Sequence, residues 1–522
     1  MSIGRKHIHP PQFYTQWKPN YFSMRWLLPP LFLIGYLATY SKLEGFEMQY
    51  LGLTFFSIIA CSLLLTRLNP PLHKKLPIWI IFAIFIVAHY FKFYFMTYNP
   101  EILGDGWVMR KLYLLLQSPA VLLKSFATIS YGFITFCLTG WFLLGLGDAK
   151  SVKIDRFTGR IHDRAVILVL LWLIPILMGI TTYIMYITGI CRMAADNNPH
   201  LSFRLAGWIF YIRMVFIPAL LLLLIWCSDK AGLRKYIGIG ILLMLLHGIS
   251  DMLLRSSRGV LLGLFIMLIL LFLVTGRITK KHVLLFGIIL LTTIMLWPVV
   301  SYYRYIRTAG ASIPVGASIL EALDSISASG SFSFFNMIKE AGVSIILRFT
   351  GADSLMHIMN AGLQPLYADI FGSSTSVAKF FTVDVIGYPA ESPLCCAPSS
   401  LGLFYLVGGN GLVVVGIFGF ILLIWFCWRL LIKLKLRCLP LAQALFLWLV
   451  FGYFTGGVLN RLYLDMLVLG GSIAACEYLA RLAGSAVVFK NIRSNRGLKR
   501  YASGGAGSDS QMEWCSKTST GC

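Results

Sequence analysis

Long apolar runs separated by short polar stretches recur along nearly the whole of this chain. A run of about 18 or more mostly apolar residues crosses roughly 30 Å of hydrocarbon as a helix, the form that satisfies its own backbone where lipid offers no partner. Twelve such spans are predicted, at 24–43, 48–66, 77–98, 125–147, 165–190, 207–227, 236–254, 259–275, 282–302, 401–426, 440–459 and 462–482. The expected fold class is an all-α polytopic integral membrane protein. Residues 1–23 form an N-terminal tail, helices one to nine fill 24–302, a large loop covers 303–400, helices ten to twelve fill 401–482, and 483–522 is a basic tail.

Inside the large loop, Ile319–Ile326 and Phe334–Met359 carry helix-like apolar spacing, whereas Gly372–Ser376 and Gly387–Pro398 are rich in Gly, Pro and Ser. The loop therefore reads as short helices lying on the membrane. From Lys490 onward the apolar pattern stops, and the end of the chain reads as disordered. No internal repeat at a fixed period is visible, which disfavours a transporter built from inverted repeats.

Composition agrees with this pattern. With 58% hydrophobic residues and a mean hydropathy of +0.77, 522 residues hold more apolar sequence than a soluble core can hide. The formal charge of +24 takes its meaning from position. Most Lys and Arg outside the spans fall on the side shared by the two termini, in groups such as Arg67/Lys74/Lys75, Lys150/Lys153/Arg156/Arg160 and Arg429/Lys433/Lys435/Arg437. That side is read as cytoplasmic, held against anionic lipid, and the charge calls for no nucleic acid. The first 23 residues are polar and Pro-rich, and no cleavable signal peptide is expected there. Eleven cysteines are scattered with no C-x-x-C pair or zinc spacing, so structural zinc and redox catalysis are not expected. No metal pair, P-loop, nucleophile elbow or H-E-x-x-H helix occurs, and no cofactor is expected.

The outer side then holds the 303–400 loop and a medium loop, 99–124. Charges inside spans lean the same way: Lys92, Arg213, His247, Asp251 and Asp465 all lie in the outer parts of their helices. Such residues are costly in lipid and are candidates for function. Lys92 and Arg213 can bind an anionic substrate or reach headgroups along their stems. His247 and Asp251 share a helix face that leads into Arg255-Ser256-Ser257-Arg258, where two cations stand against the positive-inside tendency. Asp251 is spaced to pair with Arg255.

Arg304 and Arg307 follow in Tyr302-Tyr303-Arg304-Tyr305-Ile306-Arg307, and Arg348 in Leu347-Arg348-Phe349-Thr350-Gly351-Ala352-Asp353. Five outer arginines thus come from three chain-distant places. A guanidinium is permanently charged and grips phosphate oxygens bidentately, which makes this set a candidate anion site. Asp353 and His357 are one helical turn apart, and a carboxylate that orients an imidazole gives a general base for work near neutral pH. Packing or capping by His357 is the other reading of that pair. Tyr303 and its tyrosine neighbours can stack on sugars or belong to the aromatic belt.

At these residues the chain resembles bacterial O-antigen polymerases, the Wzy-type oligosaccharide repeat-unit polymerases, and more distantly O-antigen ligases. The resemblance rests on Ser257-Arg258-Gly259 opening a span, Tyr303-Arg304 closing the ninth, Arg348-Phe349-Thr350 with Asp353, and Pro398-Ser399-Ser400-Leu401-Gly402-Leu403-Phe404-Tyr405 followed by Gly408-Gly409-Asn410-Gly411. It covers roughly residues 165–480, and the order of these short motifs carries more weight than any one of them.

The resemblance implies a GT-C-like, metal-independent, inverting glycosyltransferase in the bacterial inner membrane with both termini cytoplasmic. It would polymerise undecaprenyl-diphosphate-linked repeat units into O-antigen or a related surface polysaccharide on the periplasmic face, as in lipopolysaccharide biosynthesis. Arg258, Arg304 and Arg348 would hold the diphosphate, and Arg255, Arg307, Tyr303, Arg213 and Lys92 would line the substrate. The histidine that related ligases carry in this loop points to His357 as base, with Asp353 as the alternative. Implied partners are lipid-linked donor and acceptor, membrane lipid and a chain-length regulator protein. Three alternatives remain open: a ligase that differs in acceptor, a non-enzymatic flippase or exporter of lipid-linked glycans, and a mannosyl- or arabinosyltransferase-like enzyme using Glu101 or Asp105.

Overall fold

The computed structural model describes residues 21–68, 75–103, 107–146, 160–188, 190, 205–255, 259–276, 284, 286–288, 291–292, 342, 351–362, 377–389, 396–434, 436–456 and 462–481. Among these residues the chain is helical and forms no strand. Its main helices are α1 (Tyr21–Thr39), α2 (Glu47–Arg67), α3 (Leu76–Tyr98), α4 (Trp107–Leu115), α5 (Pro119–Gly145), α6 (Arg160–Thr188), α7 (Leu205–Ala231), α8 (Arg234–Arg255), α9 (Gly259–Thr275), α10 (Ala352–Ala361), α11 (377–386), α12 (Ser399–Lys433), α13 (Leu439–Gly456) and α14 (Leu462–Arg481). Among the described residues, nine helices (α2, α3, α5 to α8 and α12 to α14) are long and apolar enough to cross a membrane. The chain is a polytopic membrane protein.

Twelve spans were expected. α9 coincides with the eighth, but its apolar run is shorter than the nine, and most of 282–302 lies outside the described residues. α12 departs from the expected single helix at 401–426. At about 1.5 Å per residue its 35 residues would extend about 52 Å, well beyond the hydrocarbon. The helix is broken at Gly408 and Gly409, and Gly409 has φ +62, a conformation that favours glycine. A Cβ on Gly416 would meet the Phe404 ring at 2.7 Å, so the short leg 399–407 lies back against the long leg.

Two groups of helices pack around α13. α1, α2, α3, α5 and α12 form one, with α5 against α2 and α12, while α6, α7, α8 and α9 form the other. α7 is apolar on every side from Ala219 to Ile225 and fully buried there, as a helix at the centre of a bundle must be. α13 touches α3 and α12 on one side and α7 and α9 on the other. Small residues let helices approach, as lipid-embedded packing requires: Gly132 receives Leu401, Gly140 receives Leu64 and Ile78, and Gly248 receives Leu261.

Long-range polar contacts join one end of the bundle. The Ser400 hydroxyl donates to Tyr453 O at 2.6 Å, Tyr453 and Tyr211 both donate to the Asp465 carboxylate, and Thr128 donates to Asn410 Oδ1 at 2.8 Å. At the other end Arg67 donates to Trp141 O at 2.8 Å and stacks on its ring, and Glu477 accepts from Cys438 N–H and from Arg481. Described basic residues near this second end include Lys75, Lys230, Arg234, Lys235, Arg429 and Lys433.

Candidate functional site

Two buried ionic clusters sit at the first end. The first is built where α10 meets α3. Asp353, second residue of α10, accepts from Gly351 N–H at 3.1 Å and from Lys92 Nζ at 2.8 Å. The Lys92 side chain is 0% exposed, so it is enclosed in protein and does not extend to headgroups. It follows a π-helical stretch, Phe85–Phe91, the kind of insertion that re-aims side chains and recurs at functional sites. Gly351 lies so close to Ala88 that a Cβ there would fall 2.0 Å from its carbonyl oxygen. Ser354 Oγ donates to Gly351 O at 2.7 Å and Pro398 O at 3.0 Å. The helix that follows Arg348-Phe349-Thr350 is thereby tied to both α3 and the entry of α12.

At that entry Ser399 has φ +63, the only non-glycine residue with positive φ among the described residues, and its Oγ accepts from Gly402 N–H at 3.2 Å. Left-handed backbone in a residue with a Cβ is held only where its surroundings enforce it. Here both neighbouring hydroxyls, Ser354 and Ser400, are spent on backbone carbonyls.

His357 stands one turn beyond Asp353 and is 4% exposed, its Nδ1 without a hydrogen-bond partner. Burial holds its imidazole well below the usual histidine range, at about 4, against the pull of the Asp353 carboxylate and with help from the Lys111 ammonium. The ring is neutral at neutral pH, so its nitrogen is free of a proton, and the same burial makes it a weaker base than an ordinary histidine. Lys111, on α4, donates to Ile386 O at the end of α11, where a cation suits exposed carbonyls. His89 is also buried beside the pair, with neither ring nitrogen hydrogen-bonded; it lies inside the predicted span 77–98, the signal that singled out His247, and was passed over there.

A pH dependence follows. The unfolded chain takes up the His357 proton near pH 6.5 and the folded chain only near pH 4, so the unfolded state binds more protons between them. The stability from the neutral ring is present above about pH 6.5 and is lost as pH falls towards 4, by about 3 kcal/mol in all. His357→Gln is expected to flatten this slope in thermal melts of detergent-solubilised protein between pH 7 and 4.5. An unchanged slope would remove His357 as its source.

The second cluster joins α6, α7 and α8. Arg213 lies in another π-helical stretch, Ile212–Phe216, and is 1% exposed. Its Nε donates to Asp251, its Nη1 to Thr181 at 3.0 Å and Thr182 at 2.7 Å, and its Nη2 to Ser250 at 2.8 Å. Asp251 is fully buried, with Arg255 Nη1 at 3.6 Å from its second oxygen. Arg255 lies over the Phe210 ring at 4.8 Å and donates to Met214 Sδ. His247 Nε2 is 2.9 Å from Arg213 O. The expected stripe of His247, Asp251 and Arg255 is buried along one side of α8, and what faces it is Arg213 with the hydroxyls of Thr181 and Thr182.

The structure therefore brings Lys92, Asp353 and His357 together, and Arg213 with Arg255. Arg258, Tyr303, Arg304, Arg307 and Arg348 lie outside the described residues, as does Asp105, while Glu101 is exposed. Arg258 immediately precedes α9 and Arg348 is three residues before Gly351. No group of three or more His, Cys, Asp or Glu side chains able to hold a metal occurs among the described residues. Tyr211 and Tyr453, which share Asp465, were not singled out by sequence, because a tyrosine near a span end reads first as part of the aromatic belt. Comparison with protein-family models, with curated proteins and with solved structures found no match to this chain.

Proposed function

We propose that the chain is a metal-independent, inverting glycosyltransferase that joins lipid-diphosphate-linked oligosaccharide repeat units at the periplasmic face of the bacterial inner membrane. One observation carries the reading. The segment after Arg348-Phe349-Thr350 and the segment from Pro398, two of the four motifs of the resemblance to O-antigen polymerases, are hydrogen-bonded through Ser354 to Pro398 O. They meet at the end of the bundle that also holds Arg213 and Arg255, away from the end near which Arg67, Lys75, Arg429 and Lys433 lie. That distribution supports cytoplasmic termini and a periplasmic site.

In the proposed reaction an acceptor sugar hydroxyl attacks the donor's anomeric carbon from the face opposite the leaving group. The new glycosidic C–O bond forms, the bond to the diphosphate breaks with its electron pair, and undecaprenyl diphosphate departs. The hydroxyl proton passes to His357, whose neutral ring is in the form that accepts it. Negative charge grows on the departing diphosphate, and Arg258, Arg304 and Arg348 are assigned to meet it. Fixed cations at a low-dielectric membrane edge act where charge develops.

The test uses purified protein in detergent with two lipid-linked repeat units and a chelator. A ladder of products is expected. Transfer only to a lipid A-core or protein acceptor would mark a ligase, and movement of lipid-linked units across proteoliposomes without any joining would mark a flippase; either result overturns the polymerase reading.

A further inference from the structure

Lys92 and Asp353 are separated by half of the chain yet form a 2.8 Å ion pair inside the protein. We propose that this pair is a latch that docks α10 on α3, with Lys92 a positioning residue that acts through Asp353. Asp353 is then committed to the latch and is not the proton acceptor of the reaction. The inference about the reaction rests on the glycosyltransferase reading above; the latch itself does not.

Three observations fit a latch. The ammonium is fully enclosed, and an enclosed charge needs a charged partner, which Asp353 supplies at 2.8 Å. The same carboxylate oxygen takes the Gly351 N–H, which fixes the turn into α10. Contact is close on the other side of that turn, since no Cβ fits between Gly351 and the Ala88 carbonyl. Asp353, 24% exposed, is the only member of the pair that solvent reaches, so the pair opens from the α10 side. Opening would release the turn and expose the buried faces of Leu355 and Met356.

A single truncation and a paired truncation behave differently. Removing Lys92 leaves Asp353 without the cation that holds it to α3, and removing Asp353 leaves the enclosed ammonium alone, whereas removing both leaves an apolar contact that is often as stable as the pair. Lys92→Met therefore undocks α10, and Lys92→Met with Asp353→Leu redocks it. Lys92→Arg keeps the charge and the latch.

The experiment places Met356→Cys, at a position 0% exposed, in the full-length protein and follows maleimide labelling of that site in nanodiscs together with repeat-unit joining. Lys92→Met should raise labelling by on the order of a hundredfold and cut joining, Lys92→Arg should stay near the parent, and the double variant should recover both readouts. If Lys92→Met does not accumulate, Asp353→Asn carries the same comparison. Labelling unchanged in the single variants overturns the latch. Protection regained in the double variant without any regain of joining overturns the assignment of Asp353, which would then act on substrate. A parent protein that joins nothing sinks the glycosyltransferase reading, while the labelling series still decides the latch.

Discussion

Arg213→Ala is expected to destabilise the folded protein by about 3–5 kcal/mol, the cost of leaving a buried carboxylate without its partner. Asp251 is 0% exposed and takes Arg213 Nε directly, so the alanine variant keeps a charge that can neither reach water nor be met at the same distance. Arg255 at 3.6 Å is a second, weaker counter-charge, which places Arg255→Met well below Arg213→Ala in effect. Lysine is no substitute, because one ammonium does not serve Asp251, Thr181, Thr182 and Ser250 together as the guanidinium fork does. Melting temperatures of purified variants test the order: Arg213→Ala lowest, Arg213→Lys next, Arg255→Met closest to wild type. Arg213→Met with Asp251→Leu should recover part of the loss. If Arg213→Ala melts with the parent, the cluster is not what joins α6, α7 and α8.

This cluster also marks where sequence stops being informative. Spacing alone put Asp251 in reach of Arg255, because i,i+4 neighbours share a helix face, and the 3.6 Å contact exists. The nearer partner comes from another helix, through a π-helical turn that apolar periodicity does not register. Lys92 is similar. Read alone on its helix, it fitted a headgroup-reaching side chain or a substrate ligand; its partner lies 261 positions away on α10. Spans are legible because lipid imposes one length and one apolar composition on every helix that crosses it. Ion pairs between spans are set by tertiary packing, and nothing local encodes them.

α12 shows the intermediate case. Gly408-Gly409-Asn410-Gly411 was visible as a motif, and a run of glycine in an apolar helix is a known place for a break. The apolar window continues across it, so hydropathy reads one span where the backbone makes two legs. The returning leg is what brings Pro398 to α10 and Ser400 to α13. Irregular backbone at such a place is tolerated where protein covers it, and Phe404 on Gly416, Leu401 on Gly132 and Ile358 on Gly402 provide that cover.

Arg258→Ala and Arg348→Ala are expected to abolish chain elongation while protein level and melting temperature stay near wild type. This opposes the expected behaviour of Arg213, whose donors all face protein. If Arg258 and Arg348 hold the leaving diphosphate, removing either one costs the transition state and not the fold. Loss of one preorganised donor to a developing anion costs about 3 kcal/mol, roughly a hundredfold in rate. Against the release of single repeat units, such a loss collapses a ladder to its first rungs. Arg304→Lys keeps the charge and loses the bidentate fork, so its ladder should be shortened but present. The surface-glycan ladder of a deletion strain complemented with each variant, at matched protein levels, reads all three. Full-length ladders from both alanine variants would sink the site; a collapsed ladder with a lowered melting temperature would instead put that arginine in the same structural class as Arg213.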